Sequence, residues 1–189
     1  MRRTMLAFLT AALLAPPHAS AQMAEKGSYT ACDGHVIKST MCVQFGKDPS
    51  GENTSMIAIH EENDTGRLTY ITLECRGTGR MAVYVQSKNM LLTQEDFDLE
   101  IMPKVSYRID NGALKSLEVY PAHEFDANGE PVPDLAAVGL PGDVLGEIAR
   151  AGKRIQIVIE RNGFSKLTYS FPTYGLETSM KLIQFCNRM

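Results

Sequence analysis

Alternation of apolar and polar residues dominates the chain from residue 56 onward. Ile71, Leu73 and Cys75 fall on one side of an extended segment, with Tyr70, Thr72 and Glu74 on the other. That period of two marks a half-buried β-strand. Met81, Val83 and Val85 repeat it beyond Gly77-Thr78-Gly79, and Val105, Tyr107 and Ile109 alternate with Ser106, Arg108 and Asp110. Leu117 and Val119 follow Asn111-Gly112. Ile155, Ile157 and Ile159 precede Asn162-Gly163, and Leu167, Tyr169 and Phe171 follow it. Asn-Gly between alternating runs favours a hairpin, because both turn residues take positive φ. With an earlier strand from Met56 to Glu61 that turns at Asn63-Asp64-Thr65-Gly66, the pattern predicts about seven strands in antiparallel hairpins.

Two segments change period. Val144, Leu145, Ile148 and Ala149 form a helical stripe bounded by Pro141 and Gly152, residues suited to a helix start and stop. Leu176, Met180 and Ile183 form another near the end of the chain, with Cys186 close to that face. Residues 121–141, rich in Pro, Gly and Asp, are expected to be the longest loop. Residues 22–53 are polar and rich in small residues, and read as an irregular segment containing a Cys32–Cys42 loop. The expected fold is α+β and β-rich: one domain over 54–189, an antiparallel sheet or sandwich with two short helices, the second C-terminal.

Residues 1–21 read as a secretory signal peptide. Arg2 and Arg3 precede an apolar run from Met5 to Ala15, Pro16 and Pro17 end it, and Ala19-Ser20-Ala21 supplies a small-residue cleavage site. The run is shorter than the ~20 apolar residues of a spanning helix. The first mature residue would be Gln22, which disfavours a lipid anchor at cysteine. A periplasmic or secreted location follows, with no integral membrane segment after cleavage. In that compartment an even cysteine count favours disulfides. Cys32, Cys42, Cys75 and Cys186 are expected to pair as Cys32–Cys42 and Cys75–Cys186, because the first two are near neighbours in a Gly- and Ser-containing loop. Their spacings match no common zinc finger or ribbon.

The 189 residues carry a formal charge of −3, which argues against a broad basic surface for nucleic acid. The absence of tryptophan weakens a carbohydrate-stacking reading. The nucleophile elbow, the P-loop, the zinc-protease helix motif and the dinucleotide-binding glycine pattern are all missing. His35, His60 and His123 lie far apart. Glu61, Glu62 and Asp64 form one acidic cluster, and Asp126, Asn128, Glu130 and Asp134 another. Either has oxygen ligands suited to calcium, but solvated turns explain both, and Gly129, Pro131 and Pro133 break the EF-hand pattern. Arg108 and Asp110, read as sharing one face of a strand, form a surface ion pair or a partner-recognition spot. No catalytic residue, cofactor or metal is nominated.

The second half resembles the VasI-like family of small periplasmic accessory proteins associated with type VI secretion. The resemblance rests on Leu73-Glu74-Cys75-Arg76, Met81-Ala82-Val83-Tyr84-Val85 and Val105-Ser106-Tyr107-Arg108-Ile109-Asp110-Asn111-Gly112. It continues through the Val144–Ala151 helix and the Ile155 strand to Phe171–Cys186. Leu117-Glu118-Val119 stands where such proteins often carry a tryptophan. The invasion-associated locus B family, also small, exported and β-rich, is a more distant look-alike. The resemblance implies no enzyme activity and no cofactor, but an accessory or binding role with another protein of the cell envelope. Tyr29, Cys32, Asp33 and Gly34 are similar to the start of some periplasmic lysozyme inhibitors, which makes inhibition of a cell-wall hydrolase the alternative. A hydrolase with an unrecognised site stands third.

Overall fold

A computed structural model describes residues 36–38, 41–77 and 79–186. In chain order its strands are β1 (Val36–Lys38), β2 (Met41–Gln44), β3 (Met56–His60), β4 (Tyr70–Cys75), β5 (Met81–Gln86), β6 (Lys104–Ile109), β7 (Lys115–Leu117), β8 (Tyr120–Phe125), β9 (Pro131–Leu140), β10 (Arg154–Glu160) and β11 (Leu167–Pro172). Its helices are α1 (Gln94–Asp98), α2 (Asp143–Arg150) and α3 (Leu176–Leu182). A seven-stranded sheet runs β1-β2-β3-β4-β5-β9-β8 and a four-stranded sheet runs β11-β10-β6-β7. Every strand pairing is antiparallel. The chain is an α+β, β-rich sandwich, and no described helix is long and apolar enough to cross a membrane.

The apolar faces meet. Ile57, Ile59, Ile71, Leu73, Val83 and Val85 of the larger sheet share one buried cluster with Ile155, Ile157, Ile159, Tyr169 and Phe171 of the smaller. Each fully buried aliphatic or aromatic side chain contributes about 1.5–3 kcal/mol. Val144 and Ile148 of α2 join this cluster, as do Leu176 and Met180 of α3, so the two stripes bury as their spacing required. Polar contacts register the sheets. The Tyr169 hydroxyl lies 2.7 Å from Ser87 Oγ and accepts from Asn89 Nδ2 at 2.9 Å. Beside β11, the Glu62 amide donates to the Ser170 carbonyl at 3.0 Å. The Ser170 amide in turn donates to Glu61 Oε1 at 3.3 Å. These contacts occupy backbone groups that would otherwise template a further strand. At the other sheet's end β8 is interrupted by Pro121 and a register shift before His123.

Cys75 at the end of β4 is bonded to Cys186, with a Cα–Cα distance of 5.1 Å and a sequence separation of 111. Both are buried. Gln184, Phe185 and Cys186 all have positive φ, a left-handed turn that costs about 1–2 kcal/mol per non-glycine residue. Surrounding contacts hold it in place: Asn53 Nδ2 donates to the Ile183 carbonyl at 3.0 Å and the Gly79 amide to the Cys186 carbonyl at 2.9 Å. Cys42 is also disulfide-bonded; its expected partner Cys32 lies outside the described residues, as do residues 1–35.

The strand count exceeds expectation, at eleven among the described residues. Part of the excess comes from 121–141, expected as the longest loop, where β8 and β9 form a hairpin closed by Asp126–Glu130. Proline disguises these strands in sequence, but Pro121 lies in the edge strand β8, and Pro131 and Pro133 precede the stretch of β9 that pairs with β5, so no ladder on that side needs their donors. Strands β1 and β2 lie inside 22–53, expected to be irregular, and Met41 and Val43 enter the core from there. Helix α1 was not expected. It is too short for a stripe, and its signal is the reciprocal cap between Thr93 and Asp96. Replacing Cys75 and Cys186 together by alanine should lower unfolding free energy by about 5 kcal/mol on the loop-entropy model. Denaturant titration of the non-reduced protein measures this, and a loss below ~1 kcal/mol would contradict a stapling role.

Candidate functional site

The alternation that buries Val105 and Tyr107 on β6, and Ile155 and Ile157 on β10, sends Ser106, Arg108, Arg154 and Gln156 to the opposite face of the smaller sheet. Arg108 stands beside Gln156, and Gln156 beside Ser170. One row along, Ser116, Ser106, Val158 and Thr168 line up across four strands. Lys104, Arg108, Ser116, Arg154 and Thr168 are exposed, so this face meets solvent. Arg154 pairs with Glu62 at 3.7 Å and Lys166 with Glu160 at 3.2 Å. Among the described residues no ion pair engages Arg108. At the β6–β7 end a shallow depression of about 600 Å³ is lined by Lys104, Ser106, Ser116, Leu117 and Glu160, among others.

Asp110 does not share that face with Arg108. It follows β6 with φ 48°, and its carboxylate turns to the start of β10. There it accepts from the amides of Gly152 (3.2 Å), Lys153 (2.9 Å) and Arg154 (3.0 Å). The Arg154 amide is the main reason its carboxyl titrates below the ordinary range, followed among the favourable contacts by the Lys153 and Gly152 amides. Asp110 thus positions the loop between α2 and β10, while Arg108 remains on the open face. The two were grouped by alternation, which ends where the backbone turns left-handed.

The acidic clusters divide into separate tasks. Asp64 accepts from the amides of Gly66, Leu68 and Thr69. Its burial opposes ionisation, but Thr69 and Lys88 outweigh it and lower its pKa. Glu61 accepts from the Asn63 amide and side chain and from Ser170, and Glu62 faces Arg154. In the second cluster Asp126 accepts from the amides of Asn128 and Glu130 and closes the β8–β9 turn. These oxygens hold backbone in place and do not converge on a common point. Among the described residues no group of three or more His, Cys, Asp or Glu is placed to hold a metal ion.

The histidines stay apart. His60 is buried, with Nε2 3.9 Å from Cys42 Sγ and its ring edge-on to Tyr70. Burial, then the Arg67 charge, lower its pKa, which favours the neutral imidazole. His123 packs edge-on against Phe97 at 5.3 Å. Alternation missed one polar cluster: the Tyr107 hydroxyl donates to Glu147 Oε2 at 2.8 Å, and Lys115 pairs with the same carboxylate at 2.7 Å. It fastens α2 to β6 and β7. Burial first, and then the Glu147 hydrogen bond, push the Tyr107 phenol up, while Lys115 is the leading cause that holds the Glu147 carboxyl down.

The fold and these surfaces define a disulfide-stapled β-sandwich with an open polar sheet face. Comparison with family models, with curated proteins and with solved structures finds no match to the chain.

Carboxylates held below their ordinary pKa stabilise the fold above the unfolded value of about 3.9 and lose that contribution as pH falls through the folded value. Asp110→Asn should therefore lower the thermal midpoint at neutral pH and flatten its decline below about pH 4. Thermal melts across pH read both effects, and an unchanged midpoint and slope would remove the positioning role.

Proposed function

We propose that this chain is a non-enzymatic accessory protein of the cell envelope that acts by binding another protein. The exposed outer face of the four-stranded sheet carries this reading. There Ser106, Ser116 and Thr168 accompany Arg108, which among the described residues has no ion-pair partner, whereas Arg154 and Lys166 nearby are already paired. A flat sheet face with one unsatisfied Arg suits an approaching protein that presents a carboxylate, since the guanidinium fork binds carboxylates bidentately.

The leader-like residues 1–21 and the Cys75–Cys186 staple support an exported, periplasmic setting. The resemblance to the VasI-like family favours association with type VI secretion. The lysozyme-inhibitor alternative draws on Tyr29, Cys32, Asp33 and Gly34, which lie outside the described residues. A further support for binding over hydrolysis is that Asp64, Asp110 and Asp126 are engaged with backbone amides.

Crosslinking of the mature protein in envelope extract should recover a discrete partner. Arg108→Glu should reduce recovery by roughly ten-fold or more, the scale of losing a charge-assisted contact and gaining repulsion. Lys181→Glu on α3 should leave recovery unchanged. Equal capture by wild type and Arg108→Glu would remove this face from the binding role. Inhibition of lysozyme by the purified protein would move the function to the alternative.

A further inference from the structure

Three Asn-Gly dipeptides lie in turns: Asn111-Gly112, Asn128-Gly129 and Asn162-Gly163. The bare glycine lets the following amide nitrogen approach the asparagine side chain, and that nitrogen must first release its proton. An N–H already donating to a carbonyl is held away from that reaction. The Gly112 amide donates to the Ile109 carbonyl at 2.8 Å, and the Gly129 amide to the Asp126 carbonyl at 3.0 Å. Among the described residues the Gly163 amide has no acceptor. Asn162 is exposed, and Gly163 adopts φ +70° in the open connection between β10 and β11.

Asn162 also ties its turn to a distant element, whereas the Asn128 side chain reaches only Asp126 in its own turn. The Asn162 Nδ2 donates at 3.0 Å to Oδ1 of Asp96, the buried carboxylate that caps α1. The other carboxylate oxygen, Oδ2, accepts from the amide and hydroxyl of Thr93. Asn162 is the foremost reason the Asp96 carboxyl titrates below its ordinary range, so Asp96 is ionised at neutral pH.

We propose that Asn162 is this chain's site of spontaneous deamidation, and that its conversion releases α1 from the β10–β11 turn. The Gly163 nitrogen loses its proton to solvent base and bonds to the Asn162 side-chain carbonyl carbon. The carbon–nitrogen bond to the side-chain amine breaks, and ammonia leaves with a solvent proton. Water then opens the resulting succinimide at either carbonyl, giving aspartate or isoaspartate. The net change is water in and ammonia out, with no oxidant or cofactor. The product replaces a donor by a second carboxylate at hydrogen-bond distance from Asp96. Two carboxylates that close cannot both remain ionised and in contact, so the turn and α1 separate. Arg161 still ties the turn to the segment before α1, its guanidinium donating to the Met90 carbonyl at 2.7 Å.

Two measurements test this on the full chain with its disulfides intact. Purified protein held at mildly alkaline pH is digested, and aspartate and isoaspartate are quantified at all three sites by mass spectrometry. The Asn162 peptide should convert several-fold ahead of the Asn111 and Asn128 peptides; equal or slower conversion at Asn162 would overturn the assignment. Hydrogen exchange then compares wild type with Asn162→Asp. The amides of Phe97 in α1 and of Leu99 just after it, which donate to the Thr93 and Glu95 carbonyls, should exchange about five- to thirty-fold faster in the variant, with β10 and β11 unchanged. Unaltered α1 exchange would overturn the release. The same comparison between fresh and aged wild-type protein gives the answer should the variant fold poorly.

Discussion

Each sheet carries a face of isoleucine, valine and leucine whose exposure to water is unfavourable, and the two faces bury each other. That burial sets nearly everything else. Ile57, Ile71 and Val83 require a second layer, which Ile157 and Phe171 supply from far along the chain. Helices α2 and α3 add their single stripes to the same cluster instead of building a second core. The disulfide between Cys75 and Cys186 joins β4 to the turn after α3 within that buried layer. It acts on the unfolded chain, by closing a loop that spans the smaller sheet entirely.

A second theme is the use of aspartate as a backbone clamp. Asp64, Asp96, Asp110 and Asp126 each accept from neighbouring backbone amides, and in each case the ionised form is favoured. Loops between strands leave N–H groups that no ladder pairs, and a short carboxylate side chain satisfies two or three at once. The acidic residues that crowd the turns are therefore architectural. On the outer face of the smaller sheet Arg108 stays exposed, and among the described residues no ion pair engages it.

The sheet strands were readable where one face is buried and the other wet. Val105 through Ile109 and Ile155 through Ile159 alternate because the core lies on one side only. Reading failed where a different rule operates. Proline hid β8 and β9: Pro121 lies in the edge strand, and Pro131 and Pro133 precede the part of β9 that pairs with β5. Helix α1 is a single capped turn with little apolar content. Parity places Asp110 on the Arg108 face, but the strand ends at Ile109 and positive φ redirects the side chain.

Local periodicity and turn chemistry were enough to specify an antiparallel β-rich domain, its two amphipathic helices and the Cys75–Cys186 pairing, because each depends on residues near in sequence or on simple counting. Which amides Asp110 meets and which Asn-Gly turn is tied to α1 depended on contacts between segments tens of residues apart. Those contacts exist only after the sheets close, since the free energy that orders them is the burial of the shared core.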